Sequence, residues 1–212
     1  MSRFIPCAIV ATLLGAALHA QQPKPVEIPL RAKVEAILFP LADRDSNSPT
    51  LSDRLRKLGP ENEVRDILLQ ILTDYRSVAS LTHTPTQREK LQQYCFQIAI
   101  LALGEFREQR AWQPVADVMA RRDLPTVYLS YSARALGQID AVRSKEILLT
   151  AFDLSAPSEM GLRRAIGRAL IETRDPKVLA KLEAHARGEM HPLTRKSWDA
   201  IVADMRRKMG LP

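Results

Sequence analysis

The chain has little aromatic content and almost no cysteine. Phe, Trp and Tyr together make up 5% of its 212 residues, and cysteine occurs only twice. Ala and Leu dominate the apolar residues, and this composition favours helix over sheet. The hydrophobic content of 46% is ordinary for a chain that buries a core. Since no run of alternating polarity is flanked by hairpin turns, we predict an all-α fold without a sheet.

The sequence also lacks the local motifs that identify common enzymes. It contains no G-x-S-x-G nucleophile elbow, no phosphate-binding loop and no dinucleotide fingerprint. Three carboxylates, Glu105, Glu108 and Glu172, fall near predicted turns, where capping or solvated roles account for them. We therefore predict a protein without a catalytic residue or a cofactor.

The histidines beyond residue 20 do not form a metal-binding pattern. They are His83, His185 and His191, and none stands near another His or Cys at the spacing of metal ligands. His83 and His191 fall in predicted loops, and His185 falls late in a helix, where a positive charge is favourable. We predict surface or capping roles for these histidines and no metal site.

Residues 1–20 have the pattern of a secretory signal peptide. Arg3 gives a weakly positive start, an apolar stretch runs from Phe4 to Leu18, and a plausible cleavage site ends at Ala20. The stretch is shorter than the roughly 20 residues of a membrane span, and an uncleaved N-terminal anchor is the alternative. A Pro-rich leader follows over residues 21–29. We expect export to the periplasm or the cell exterior.

Cleavage after Ala20 would leave Cys95 as the one cysteine, which cannot form an internal disulfide. Its neighbours Tyr94, Phe96 and Ile98 indicate a buried helical position. We predict a buried, unreactive thiol, since activation needs exposure and a positive or helix-terminal setting.

The net charge of +7 and the pI near 9.7 reflect basic residues dispersed along the chain. Nucleic acid is a poor candidate partner for an exported protein. An acidic protein, an anionic envelope polymer or a membrane surface suits this charge better. A solvated surface rich in Arg is the alternative that involves no partner.

Consecutive amphipathic helices are predicted along most of the chain. A first helix begins at residue 30 and should end before Pro40. From residue 50 onward, the predicted helices cover 50–58, 61–81, 86–103, 110–121, 125–137, 143–154, 158–172, 175–187 and 192–209.

The short sequence Ala-Leu-Gly recurs at a nearly fixed interval. It occupies positions 102–104 and returns at positions 135–137. Ala169 and Leu170 begin a third copy at almost the same spacing, with Ile171 in place of the glycine. Repeats at such an interval are typical of stacked supersecondary units. We predict that the glycine ends the first helix of each unit in a left-handed conformation.

The best-formed unit spans residues 162–182. An apolar-Arg-x-Ala pattern beginning at Leu162 leads to Ala169 and Leu170, and a turn with Asp175 and Pro176 precedes a second amphipathic helix. Asp175 is suited to cap that helix and Pro176 to begin it. The unit resembles the short HEAT repeat of the phycocyanobilin-lyase type, and the resemblance covers residues 86–190.

This resemblance implies an α-α superhelix, an ARM/HEAT-like solenoid of antiparallel helix pairs. We expect an N-terminal helical cap with a degenerate repeat over 30–85, HEAT-like repeats over 86–190 and a C-terminal capping helix over 191–212. A plain helical bundle with fortuitous spacing is the alternative fold. Some members of the family attach bilins. We do not expect this activity here, because an exported protein has no evident bilin substrate.

Three basic residues occupy equivalent positions in the repeat. Arg110, Arg143 and Lys177 each stand at the start of the second helix of a unit and follow the interval of the Ala-Leu-Gly copies. A positive charge at that end opposes the helix dipole by about 0.3–1 kcal/mol. Because stacked units would align the three side chains along one edge, we predict that they contact an acidic partner.

The function predicted from these patterns is that of an exported, non-catalytic interaction scaffold or assembly factor. An enzyme or chaperone related to bilin lyases would need a concave pocket with polar groups. An envelope protein that binds an anionic polymer is the other alternative, and its association should be sensitive to salt. Oligomeric state and partner identity do not follow from the sequence.

Overall fold

The computed structural model describes residues 28–38, 50–77 and 84–212. Within these ranges the chain is all-helical, without a strand, as predicted. The α-helices are α1 (Leu30–Leu38), α2 (Leu51–Arg56), α3 (Glu61–Asp74), α4 (Gln87–Glu105), α5 (Trp112–Ala120), α6 (Thr126–Leu154), α7 (Met160–Leu170), α8 (Pro176–Gly188) and α9 (Pro192–Lys208). The predicted signal peptide, residues 21–27 of the leader and His83 lie outside the described residues.

One cluster of buried apolar side chains connects the described helices. It extends from Val34 of α1 through Phe96 of α4 and Leu136 of α6 to Met205 of α9. The N-terminal helices therefore share a core with the repeat region, and α9 closes it at the other end with the buried Trp198. This helix-on-helix packing is consistent with a helical repeat fold.

The repeated glycines lie inside helices and bring neighbouring helices close together. A Cβ atom added to Gly104 of α4 would lie 2.7 Å from Cα of Ala135, and one added to Gly137 of α6 would lie 2.8 Å from Cα of Ala169. The prediction that these glycines end their helices was wrong. Each glycine instead faces the alanine of the next Ala-Leu-Gly copy, where a larger side chain would force the helices apart.

The last copy has Ile171 in place of the glycine, and no further copy follows it in the sequence. Ile171 follows α7 in a short 3-10 turn (Ile171–Thr173) and is buried. Close approach to the next helix is provided one turn earlier, at Gly167. A Cβ there would lie 2.7 Å from Cζ3 of Trp198 in α9.

The chain changes direction shortly after each copy, again at equivalent positions. Arg107 and Arg174 have φ angles of 51° and 50°, in the left-handed region, and Asp140 has non-helical angles of φ −159° and ψ 93°. The three positions follow the interval of the Ala-Leu-Gly copies. These turns could not be predicted from the residues, because glycine, rather than arginine, usually occupies a left-handed position.

The structure differs from the predicted helix boundaries at three places. Both helices predicted over 125–137 and 143–154 are present, as the two segments of α6 on either side of Asp140, but a single non-helical residue separates them instead of a loop. In the first repeat, residues 109–111 form a 3-10 turn and α5 begins only at Trp112. Helix α3 ends at Asp74, before the predicted end at residue 81.

The predicted start of α8 is confirmed. The Asp175 side chain accepts a hydrogen bond from the Lys177 N–H at 2.8 Å, and Pro176 is the first helical residue. Thr86 and Glu89 form a reciprocal capping box at the start of α4. These caps fix the helix starts and hence the positions of residues just inside them.

Candidate partner-binding surface

The basic residues predicted to contact a partner lie at the starts of the second helices, where carboxylates cap the backbone. Their N–H groups each donate a hydrogen bond to a carboxylate, at 2.8 to 3.2 Å. The pairs are Arg110 with Glu108, Arg143 with Asp140, and Lys177 with Asp175. The carboxylates offset the unfavourable placement of positive charge at these helix ends.

Arg110 is already paired within the protein. Its side chain donates to Glu108 at 2.8 Å and to Asp66 of α3 at 2.7 Å. Glu108 is buried, and its hydrogen bond with Arg110 lowers the pKa of the carboxyl below its usual value. Arg110 therefore has two carboxylate partners before any other molecule binds.

Arg143 and Lys177 differ from Arg110 and from each other. The Arg143 guanidinium stacks 3.6 Å from the ring centre of Trp112, whose indole N–H donates to Ser144 at 2.8 Å. Arg143 thus forms part of the contact between α5 and α6. The Lys177 side chain is exposed and makes no ion pair with any described carboxylate. Contact of this row with a partner stays a prediction.

A groove between α6 and α7 presents a second set of basic residues. It has a volume of about 350 Å³. Its lining includes Tyr131, Arg134, Arg168 and the carboxylate Glu172, which pairs with Lys208. The groove lies where α6 and α7 meet.

The two arginines of this groove differ in their partners. Arg134 lies 3.8 Å from Glu105, which belongs to the preceding repeat. One Ala-Leu-Gly interval later, the equivalent positions are occupied by Arg168 and Gln138. Arg168 has no ion pair with a described carboxylate. The amide oxygen of Gln138 is buried without a hydrogen-bond partner. Because Gln138 replaces the equivalent Glu, the Arg168 guanidinium is available to pair with a carboxylate of another molecule.

Positive charge is concentrated in the C-terminal quarter of the chain. Residues 160–212 contain 12 Lys and Arg but only 6 Asp and Glu, so six of the seven excess positive charges lie there. Cations in this segment without an ion pair to a described carboxylate include Arg168, Arg174, Lys177, Arg195 and Lys196. The total charge does not reveal this distribution. A count of the charged residues within successive segments of the sequence would have shown it.

The three carboxylates predicted near turns have structural partners. Glu105 accepts a hydrogen bond from the Ser52 N–H at the start of α2, at 2.9 Å, and Glu108 caps Arg110. Glu172 pairs with Lys208 of α9. Capping and ion pairing between helices account for all three.

Cys95 is buried, as predicted. Burial raises the pKa of its thiol to about 11, and the charge of Glu35 adds to this shift. A cavity of about 360 Å³ reaches it, lined also by Tyr75 and Arg88. A thiol with this pKa is almost entirely protonated at neutral pH and is a poor nucleophile.

His185 does not have the predicted surface or capping role. It is half-buried, and its ring centre lies 4.5 Å from that of Trp198 and 5.2 Å from that of Phe152. Burial and the nearby Arg163 lower its pKa, which favours the neutral imidazole. This cluster could not be predicted from the sequence, because its members come from α6, α8 and α9. His191 is exposed and precedes α9.

Comparisons with protein-family models, curated proteins and solved structures find no significant match to this chain. None of the helices in the described ranges has the length and apolarity needed to cross a membrane. In the same ranges, no group of three or more His, Cys, Asp or Glu side chains is placed to hold a metal ion.

Proposed function

We propose that this protein is an exported, non-catalytic interaction scaffold built as an α-α superhelix of HEAT-like repeats. The contacts of Gly104 with Ala135 and of Gly137 with Ala169 support the repeat architecture, because one contact recurs at equivalent positions of successive units. Stacking of this kind joins repeats that cannot bury their apolar faces alone, and it produces the extended surfaces on which such proteins bind partners.

The partner is a protein with an acidic segment that lies in the α6–α7 groove. The observation that carries this proposal is that Arg168 has no ion pair with a described carboxylate. At the equivalent position of the preceding repeat, Arg134 pairs with Glu105. The neutral Gln138 stands at the position equivalent to Glu105. A carboxylate of the bound segment would therefore pair with Arg168. Tyr131 on the groove wall adds apolar contact area and a hydroxyl group.

Binding of a purified partner to charge-reversal variants tests this proposal. The partner is first captured from an envelope extract of the host and identified by mass spectrometry. Arg168→Glu should then weaken its binding by roughly tenfold or more, and binding to the unaltered protein should weaken as salt is raised. A matched control, Arg195→Glu with Lys196→Glu, reverses exposed charges on α9 and should bind almost normally.

A variant of the basic row separates the two candidate surfaces. If Arg143→Glu with Lys177→Glu abolishes binding and Arg168→Glu does not, the partner contacts the starts of the second helices and the groove assignment is wrong. Retention of the protein by anionic envelope polymer, with no protein captured, would favour the polymer-binding alternative. Export is tested separately by N-terminal sequencing of the protein from its host, which should begin at Gln21.

A further inference from the structure

A second cavity lies on the opposite side of α7 from the groove. It has a volume of about 500 Å³, is open to solvent, and is lined by α7, α8, α9 and the loops that precede α7 and α9. Arg163 lines this cavity, whereas Arg168 lines the groove. From their positions in the helix, the two arginines point about 140° apart around its axis. The two sites are therefore distinct.

Aromatic and thioether side chains form an apolar wall of this cavity. His185 and Trp198 line it, and their rings meet edge to face with centres 4.5 Å apart. Phe152 supports both rings from behind, at 5.2 and 5.7 Å. Met160 and Met190 complete the apolar lining, and Met190 is 94% exposed. An unbranched thioether at the mouth of a cavity adapts readily to different apolar ligands.

Arg163 supplies one positive charge to this apolar setting. Its guanidinium lies 4.9 Å from the ring centre of Phe152, and its Nη2 group donates a long hydrogen bond of 3.5 Å to Nδ1 of His185. The Nε atom of Arg163 is buried without a hydrogen-bond partner. Glu189 also lines the cavity, but it accepts from the His191 N–H and forms no ion pair with Arg163. The guanidinium therefore lacks a carboxylate among the described residues.

We propose that this cavity binds an apolar group that carries a carboxylate, with the carboxylate on Arg163 and the apolar group against Trp198 and Met190. Pockets with mostly apolar walls and one placed charge bind ligands of this type, since the charge fixes the orientation and the walls supply the contact area. The planar guanidinium suits a carboxylate because it can donate two parallel hydrogen bonds. The C-terminal residue of a polypeptide and a free carboxylic acid share this chemistry.

His185 favours the same orientation. Burial and the Arg163 charge lower its pKa, which disfavours a second positive charge at the cavity. In its contact with Arg163, Nδ1 is the acceptor, because a guanidinium can only donate. A bound carboxylate would partly neutralise Arg163 and would change the environment of both nitrogen atoms.

Titrations followed by nuclear magnetic resonance test the proposal with matched ligands. The probes are N-acetyl-leucine, which resembles a peptide C-terminus, its amide, which lacks the charge, and octanoate as a free acid. At least one acid should bind, and N-acetyl-leucine should bind roughly tenfold or more tightly than its amide if the peptide end is the ligand. The resonances of His185 and of the Trp198 indole should shift, whereas those of Trp112 should not.

Variants separate the charge from the fold. Arg163→Gln should remove acid binding, and Arg195→Gln, which changes an exposed arginine on α9, should leave it unchanged. The wild-type shifts keep the test decisive even if Arg163→Gln unfolds. Preference for N-acetyl-leucine over octanoate would identify a polypeptide end as the source, and the reverse preference a free acid. Binding of the amide as tightly as the acid, shifts at Trp112 instead of Trp198, or no binding at millimolar ligand would overturn the proposal.

Discussion

Replacing Gly137 with alanine tests the contact between successive repeats. The new Cβ would lie 2.8 Å from both Cα and Cβ of Ala169 and 3.1 Å from its carbonyl oxygen. Relaxed carbon–carbon contacts are found at about 3.5–4.0 Å. None of these three atoms can rotate away, so α6 and α7 would have to separate. Overpacking of this kind costs about 1–3 kcal/mol.

Helix propensity acts in the opposite direction. Alanine is about 1 kcal/mol more favourable than glycine inside a helix. Because the clash includes backbone atoms, we expect the strain to exceed this gain and the free energy of unfolding to fall by up to about 2 kcal/mol. Urea denaturation followed by far-UV circular dichroism measures the change.

Two further variants make this measurement specific. A Cβ on Gly161 of α7 would meet nothing within 4 Å, so Gly161→Ala should leave stability unchanged or raise it slightly. Combining Gly137→Ala with Ala169→Gly relieves part of the clash, and the double variant should be more stable than the sum of the single effects by at least about 0.5 kcal/mol. Equal stabilisation by Gly137→Ala and Gly161→Ala would refute the reasoning.

Three other predictions concern individual side chains. Alkylation of Cys95 should be slow at neutral pH and should accelerate on unfolding, because burial raises its pKa to about 11; rapid labelling of the folded protein would contradict this. The pKa of His185 is lowered in the folded protein. In the unfolded chain it returns to about 6.5, so as the pH falls the unfolded chain takes up this proton before the folded protein does. Stability should therefore fall as the pH drops through that value, and the loss should be smaller in His185→Gln. Asp175→Ala removes the α8 cap and the ion pair with Lys145 at 2.9 Å, and urea denaturation should show a loss of about 1–2 kcal/mol. An unchanged midpoint would count against the cap.

The regular interval of the Ala-Leu-Gly copies predicted the placement of the helices well, but the role of its glycine was misjudged. A glycine near the end of a helical pattern has two common uses, a left-handed end or a close contact. The sequence of one helix cannot distinguish them, because the contact depends on the neighbouring helix. Ala135 and Ala169 were visible as repeated small residues, and their pairing with Gly104 and Gly137 required the three-dimensional arrangement.

The candidate sites were harder to predict than the helices. Arg110, Arg143 and Lys177 share a repeat position, but the sequence did not show that Asp66 pairs with Arg110 or that Trp112 stacks on Arg143. Such contacts depend on how helices from different repeats meet. The substitution of Gln138 for the equivalent Glu105 is visible in the aligned repeats, whereas the cavity around Arg163 depends on α8 and α9.

The proposed stacking of repeats depends most directly on the contacts of Gly137 with Ala169 and of Gly104 with Ala135. Nuclear Overhauser effects between the Hα protons of Gly137 and the methyl protons of Ala169 measure the first of these contacts in solution. The stacked arrangement predicts a strong cross-peak for this pair and another between Gly104 and Ala135. Absence of both cross-peaks in the folded protein, with these resonances assigned, would contradict the arrangement.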